Sequence, residues 1–152
     1  MRVKNAAAVA IAAVGLIGAS LATAPAASAD YSVPVGNCPR GFACLYYHSW
    51  EYANSHWIDS THPNYGANFA TASNISDFQG WKFSAEEYGK DGAGLSVKNN
   101  AAFAANLSLT ASYRVYYNSG YNCSVACQTI GINSYDGLAG IMANNNASGK
   151  FL

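Results

Sequence analysis

Four cysteines carry the most reactive side chains of this 152-residue chain: Cys38, Cys44, Cys123 and Cys127. They can pair as disulfides in three ways. A zinc site fits poorly, because "CPRGFAC" is too widely spaced for a chelating pair, and Cys123 with Cys127 leaves zinc two ligands short. Three histidines, His48, His56 and His62, lie near Glu51 and Asp59, and a three-histidine metal site could be drawn from them. No H-E-x-x-H pattern accompanies them, and the segment is crowded with Trp and Tyr, so surface or hydrogen-bonded histidines are expected instead. No Ser-His-Asp or Cys-His pattern marks a nucleophile, least of all if the cysteines are oxidised. Glu86 and Glu87 sit among glycines and read as a solvated loop.

The compartment decides how the cysteines behave. Arg2 and Lys4 precede an Ala-rich apolar run over 6–23, and Ala27-Ser28-Ala29 precedes Asp30. This is the grammar of a secretory signal peptide of bacterial appearance over residues 1–29, removed to leave 30–152. The mature chain is then secreted and extracellular, with no further segment able to span a bilayer. Secretion makes disulfides the default. Of the eight basic residues, Arg2 and Lys4 leave with the signal, so the mature charge is 6 − 8 = −2. No basic patch is present, so nucleic acid is not an expected partner. A monomer is expected, and no cofactor is.

The elements that must position these residues are short strands. "FACLYYHS", "YRVYYNS" and "CQTIGI" are rich in β-branched and aromatic residues and end in Gly, Asn or Ser. "GLSVKNN" and "GIMANNN" read as shorter strands ending in Asn turns, and the stretch 64–78 reads as a loop or short helical turn. No window after the signal shows a convincing helical period. Two echoes stand out. "LYYHS" at 45–49 is answered by "VYYNS" at 115–119, and "GLSVKNNAA" at 94–102 by "GIMANNNAS" at 140–148. Their order is kept, which predicts two related units packed into one two-sheet sandwich. Leu45 and Tyr46 are expected at positions equivalent to Val115 and Tyr117.

The opening C-P-x-G-x-x-C-L-Y, the central V-K-N-N-A-A, the V-Y-Y-N-S strand and the final N-N-N-A-S together resemble the small secreted microbial metalloproteinase inhibitors of βγ-crystallin-like fold. The resemblance covers nearly the whole mature chain. It implies an all-β, disulfide-stabilised sandwich of two Greek keys over 30–152, with motif one about 38–106 and motif two about 113–152. It also implies a wide local pair, Cys38 with Cys44, and a tight local pair, Cys123 with Cys127. An extended chain would separate Cys38 from Cys44 by about 20 Å, and a disulfide needs Cα atoms within about 7 Å. Pro39 and Gly41 supply the fold-back, and the bridge contributes on the order of 2 kcal/mol by loop entropy.

The second pair encloses Ser124, Val125 and Ala126. Either it is a staple at a strand edge, or it rigidifies a protease-binding loop before association, which reduces the entropy lost on binding. By resemblance the inhibitory site falls in this loop, Cys123 to Cys127, with Cys123-Ser124 as the bond facing the protease. The loop departs from the family in being short and in carrying Ser after the first cysteine. A preference for a bulky apolar residue after the cleaved bond makes Ser124-Val125 a rival. Calcium-binding βγ-crystallins use an Asn/Asp pair, two variable residues and then a hydroxyl. Asn99 and Asn100 meet Phe103 there, while Asn144 and Asn145 meet Ser148. These five polar residues are the calcium candidates; calcium takes six to eight oxygens, usually with carboxylates among them, and these turns offer neutral amides. The resulting reading is a non-enzymatic inhibitor whose partner is a secreted metalloprotease. The competing class is a non-inhibitory βγ-crystallin-like extracellular module, with or without calcium.

Overall fold

The structure, a computed structural model, describes residues 38–152 apart from Tyr88. The predicted signal peptide lies outside the described residues. Seven four-residue strands form two sheets: β1 (Ala43–Tyr46), β2 (Asn68–Thr71), β3 (Phe103–Asn106), β4 (Tyr113–Tyr116), β5 (Cys127–Ile130), β6 (Ser134–Gly137) and β7 (Ser148–Phe151). One sheet runs β2-β1-β3-β6 and the other β5-β4-β7, with every pairing antiparallel. The sandwich of two Greek keys is therefore present, and its halves interlock. β6, from the second half, joins the first sheet, while Ile75, from the first half, bridges to Gly149 in the second sheet.

Alternation along the strands explains two cores. Ala43, Leu45, Phe69 and Ala104 point between the sheets and meet Tyr113, Val115 and Ile130. Cys44, Tyr46, Phe103 and Ala105 point to the outer side of the first sheet, where Ala53 and Tyr65 cover them. Ala53 belongs to a helix α1 (Trp50–Ser55), capped by the Ser49 hydroxyl, which accepts from the Tyr52 N–H at 3.2 Å. The sequence showed no helical period there because six residues are under two turns.

The hydrogen bonds repeat in pairs across the two halves. Ala102 N–H donates to Tyr46 O and Ala147 N–H to Tyr116 O. Asn99 N–H donates to Asn146 O and Asn144 N–H to Ala101 O, both at 2.8 Å. Asn99 and Asn144 share a left-handed conformation, φ 62° and 58°, which asparagine tolerates in turns. The duplication corrects two details. Tyr46 answers Tyr116, whereas Tyr117 answers Tyr47, since the Tyr47 and Tyr117 N–H groups donate to Ala67 O and Ala126 O. The Gly-initiated segments are not strands: 94–100 holds only an isolated Ser96 bridge to Lys82, and Gly140–Met142 is a single 3₁₀ turn. Asn turns recur because the backbone needs them, and the flanking apolar residues bury without a ladder. The ambiguous stretch 64–78 contains β2, and β6 and β7 carried too little β-branched content to announce themselves.

Cys38 and Cys44 are joined with Cα atoms 5.9 Å apart. Gly41 makes the fold-back at φ 87° and donates to Leu107 O, and Phe42 N–H donates to Pro39 O.

Burial pushes the Tyr65 phenol up to about 12 and also raises those of Tyr46 and Tyr113. A raised folded-state value contributes stability that is whole below the unfolded tyrosine value of about 10 and is lost as pH rises above it. The denaturation midpoint should therefore hold up to about pH 9.5 and fall steeply beyond about pH 10. Spectrophotometric titration should show these tyrosines ionising only with unfolding; reversible ionisation near pH 10 with the fold intact would contradict their burial.

Candidate binding loop

The connection between β4 and β5, residues 117–126, is much shorter than its counterpart between β1 and β2, residues 47–67. The longer one supplies α1 and Tyr65 and is spent covering the first sheet. The shorter one ends in the second disulfide, Cys123 with Cys127, whose Cα atoms lie 5.2 Å apart. Cys127 opens β5 opposite Tyr116, so the bridge clamps the loop to the strand it enters.

Both flanks of the loop are tied down. Tyr117 N–H donates to Ala126 O at 3.1 Å, and Gly120 N–H to Ser76 O at 2.7 Å. The Ser148 hydroxyl donates to Asn118 O at 2.7 Å and accepts from Tyr121 N–H at 3.2 Å. Tyr121 is left-handed at φ 61°, sets its ring edge-on to Tyr116, and has the Lys150 ammonium 5.5 Å from its centroid. Beyond these anchors the apex is exposed. Asn122 Oδ1 accepts the Ser124 N–H at 2.7 Å, an Asx turn that fixes the Cys123-Ser124 peptide group. Ala126 turns back against the core, while Val125 is 54 % exposed. Residues 117–127 carry no charge. The arrangement offers a neutral, pre-shaped apex with one apolar side chain. It is not extended throughout: the chain bends at Ser124 and Val125.

Sequence reasoning missed the anchors Gly120, Tyr121, Ser76 and Ser148. Gly120 was a legible turn signal, but a hydroxyl received from the opposite end of the chain has none.

The calcium candidates fall into two groups. Asn99 and Asn145 line one cavity of about 230 Å³ with Lys98, Asn118 and Ser119. The Lys98 ammonium lies 3.0 Å from Asp77 Oδ1 and donates to Ser119 Oγ at 3.2 Å. The Gln79 backbone N–H and the Lys98 ammonium hold the Asp77 carboxyl below its usual range. Asp77, held by the cavity's Lys98, is thus already paired with a cation. Asn100 turns its amide to Ser96 O, Asn145 to Ala143 O, and Ser148 is committed to the loop. Asn144 supplies the left-handed turn. Calorimetric titration should detect no calcium binding tighter than about 10⁻⁵ M; a tighter site would show that the pair opens for calcium.

The histidines do not converge on a metal. His48 Nε2 is 3.1 Å from Asp91 Oδ2 and His62 Nδ1 is 2.7 Å from Asp59 Oδ2, while His56 stacks on Tyr52 at 4.0 Å. Among the described residues no group of three His, Cys, Asp or Glu side chains could hold a metal ion. No described helix is long and apolar enough to cross a membrane. Glu86 pairs through its backbone with Gly89 rather than lying in an open loop.

The class these features define is a βγ-crystallin-like sandwich. The chain is similar to a solved structure described as "Evolution of the eye lens beta-gamma-crystallin domain fold", with TM-score 0.51 and 12 % identity over 78 % of this chain and 92 % of that one. No family model and no curated protein matches the chain. The likeness establishes the fold and leaves the inhibitor family as a proposal.

Proposed function

We propose that the chain is a binding module that inhibits a metalloprotease through the stapled loop Cys123 to Cys127. The observation that carries this reading is the loop itself. It is clamped at both flanks, closed by a disulfide, uncharged, and presents a single exposed apolar side chain at Val125. Such pre-shaping lowers the entropic cost of entering a cleft. The Asx turn holds the Cys123-Ser124 peptide group, whereas Ser124-Val125 lies within the bend. A cleft that takes substrate in extended form therefore meets Cys123-Ser124 first.

The second reading, a non-inhibitory structural or binding module, is favoured by a different observation: the likeness to known proteins reaches only the βγ-crystallin fold. Prolonged incubation with a sensitive protease, followed by reduction and mass spectrometry, separates the two. The inhibitor reading expects one slow cut, at Cys123-Ser124, with the fragments still joined before reduction. A cut at Ser124-Val125 reassigns the bond, and rapid cutting elsewhere in the described chain refutes the inhibitor reading.

A further inference from the structure

We propose that the cleft beside α1 binds a small organic cation of the quaternary ammonium class. The cleft encloses about 450 Å³ on the outer side of the first sheet, between the start of α1, the start of β3 and the end of β6. That volume suits a small ligand. One wall is aromatic: the Trp50 ring stacks at 5.4 Å and 20° on Tyr135 and at 5.9 Å and 26° on Phe103. Leu138 adds apolar surface, and Glu51 and Asp136 contribute two carboxylates, while the lining holds no Lys, Arg or His. Neither carboxylate enters an ion pair among the described residues. Asp136 Oδ2 accepts from Gln128 Nε2 at 3.0 Å, which orients the group.

Two features of the lining select the same chemistry. The faces of aromatic rings carry negative potential and attract cations. Two carboxylates without a counter-charge do the same and repel anions. A neutral sugar would stack on the rings and donate hydroxyls to the acids, but it would leave their two negative charges uncompensated, whereas a cation offsets them. A quaternary ammonium places apolar methyl groups on the rings and carries its charge on a weakly hydrated centre, so desolvation costs little. This site is independent of the stapled loop.

The test titrates the ¹⁵N-labelled full chain with choline and with 3,3-dimethylbutan-1-ol, its neutral isostere. Choline should give saturable shifts at the Trp50 indole N–H and the amides of Tyr135, Asp136 and Leu138. The isostere should bind at least roughly fivefold more weakly. Glu51→Gln should weaken choline by a similar factor, and Asp136→Asn, which keeps an acceptor for Gln128, should do likewise. Should Asp136→Asn unfold, Glu51→Gln alone decides, since Glu51 is exposed on the first turn of α1. Equal binding of the isostere, absence of saturable shifts, or shifts with N-acetylglucosamine in place of choline would each overturn the proposal.

Discussion

Gly149→Ala is expected to lower the melting temperature by roughly 10 °C. A Cβ at Gly149 would collide with Tyr113 Oη and would lie 2.7 and 2.8 Å from the Tyr113 Cζ and Cε1 atoms. Contacts that close cannot persist, so the ring or the strand must move. Neither moves freely. Tyr113 is 1 % exposed in the core between the sheets, edge-on to Phe151 at 4.8 Å. Gly149 faces Val115 in the ladder and exchanges two hydrogen bonds with Ile75, at 2.8 and 3.0 Å, the bridge through which the first half enters the second sheet. Overpacking at such a site costs roughly 1–3 kcal/mol. Truncating the ring should relieve it: Tyr113→Leu combined with Gly149→Ala should be less destabilising than the sum of the single changes. Strict additivity in chemical denaturation would show that the ring does not occupy the space over Gly149.

Val125→Asp is the second large effect, and it acts on binding rather than on folding. Val125 is exposed at the apex, and it is absent from both cores. Burying a valine side chain in a partner is worth roughly 1.5 kcal/mol or more, about tenfold or greater in an inhibition constant. An aspartate there would also bring an unpaired charge into the interface. The substitution should therefore abolish inhibition while leaving the melting temperature nearly unchanged. Unfolding would place the side chain in the core. Unchanged inhibition with unchanged stability would move the inhibitory site elsewhere.

Much of the fold could be read from particular residues. The Leu45 and Val115 strands and the paired asparagines announced a duplication, because each half needs an aromatic central strand and a left-handed turn before its last strand. The echo placed the Gly-initiated segments as strands, since it saw similarity and not the ladder. Helix α1 was invisible because its amphipathic signal is one residue, Ala53, and its role is to cover Tyr46 and Phe103 across the chain. The candidate loop was legible through its cysteines. Its stiffness was not, because it depends on Ser148 and Ser76 reaching it from distant parts of the sequence. The bend at Ser124 accompanies a hydrogen bond from the Ser124 N–H to the Asn122 side chain, for which the sequence carries a local signal in the asparagine two residues before Ser124.

The central claim, that the stapled loop gives the chain its activity, is tested most directly by steady-state inhibition of a panel of metallo-, serine and cysteine proteases by the mature protein. The account predicts inhibition of at least one metalloprotease, stoichiometric and lost in Val125→Asp, with the serine and cysteine enzymes unaffected. Absence of inhibition across the metalloproteases, with the protein folded and both disulfides formed, would contradict it and leave the non-inhibitory βγ-crystallin-like module as the reading.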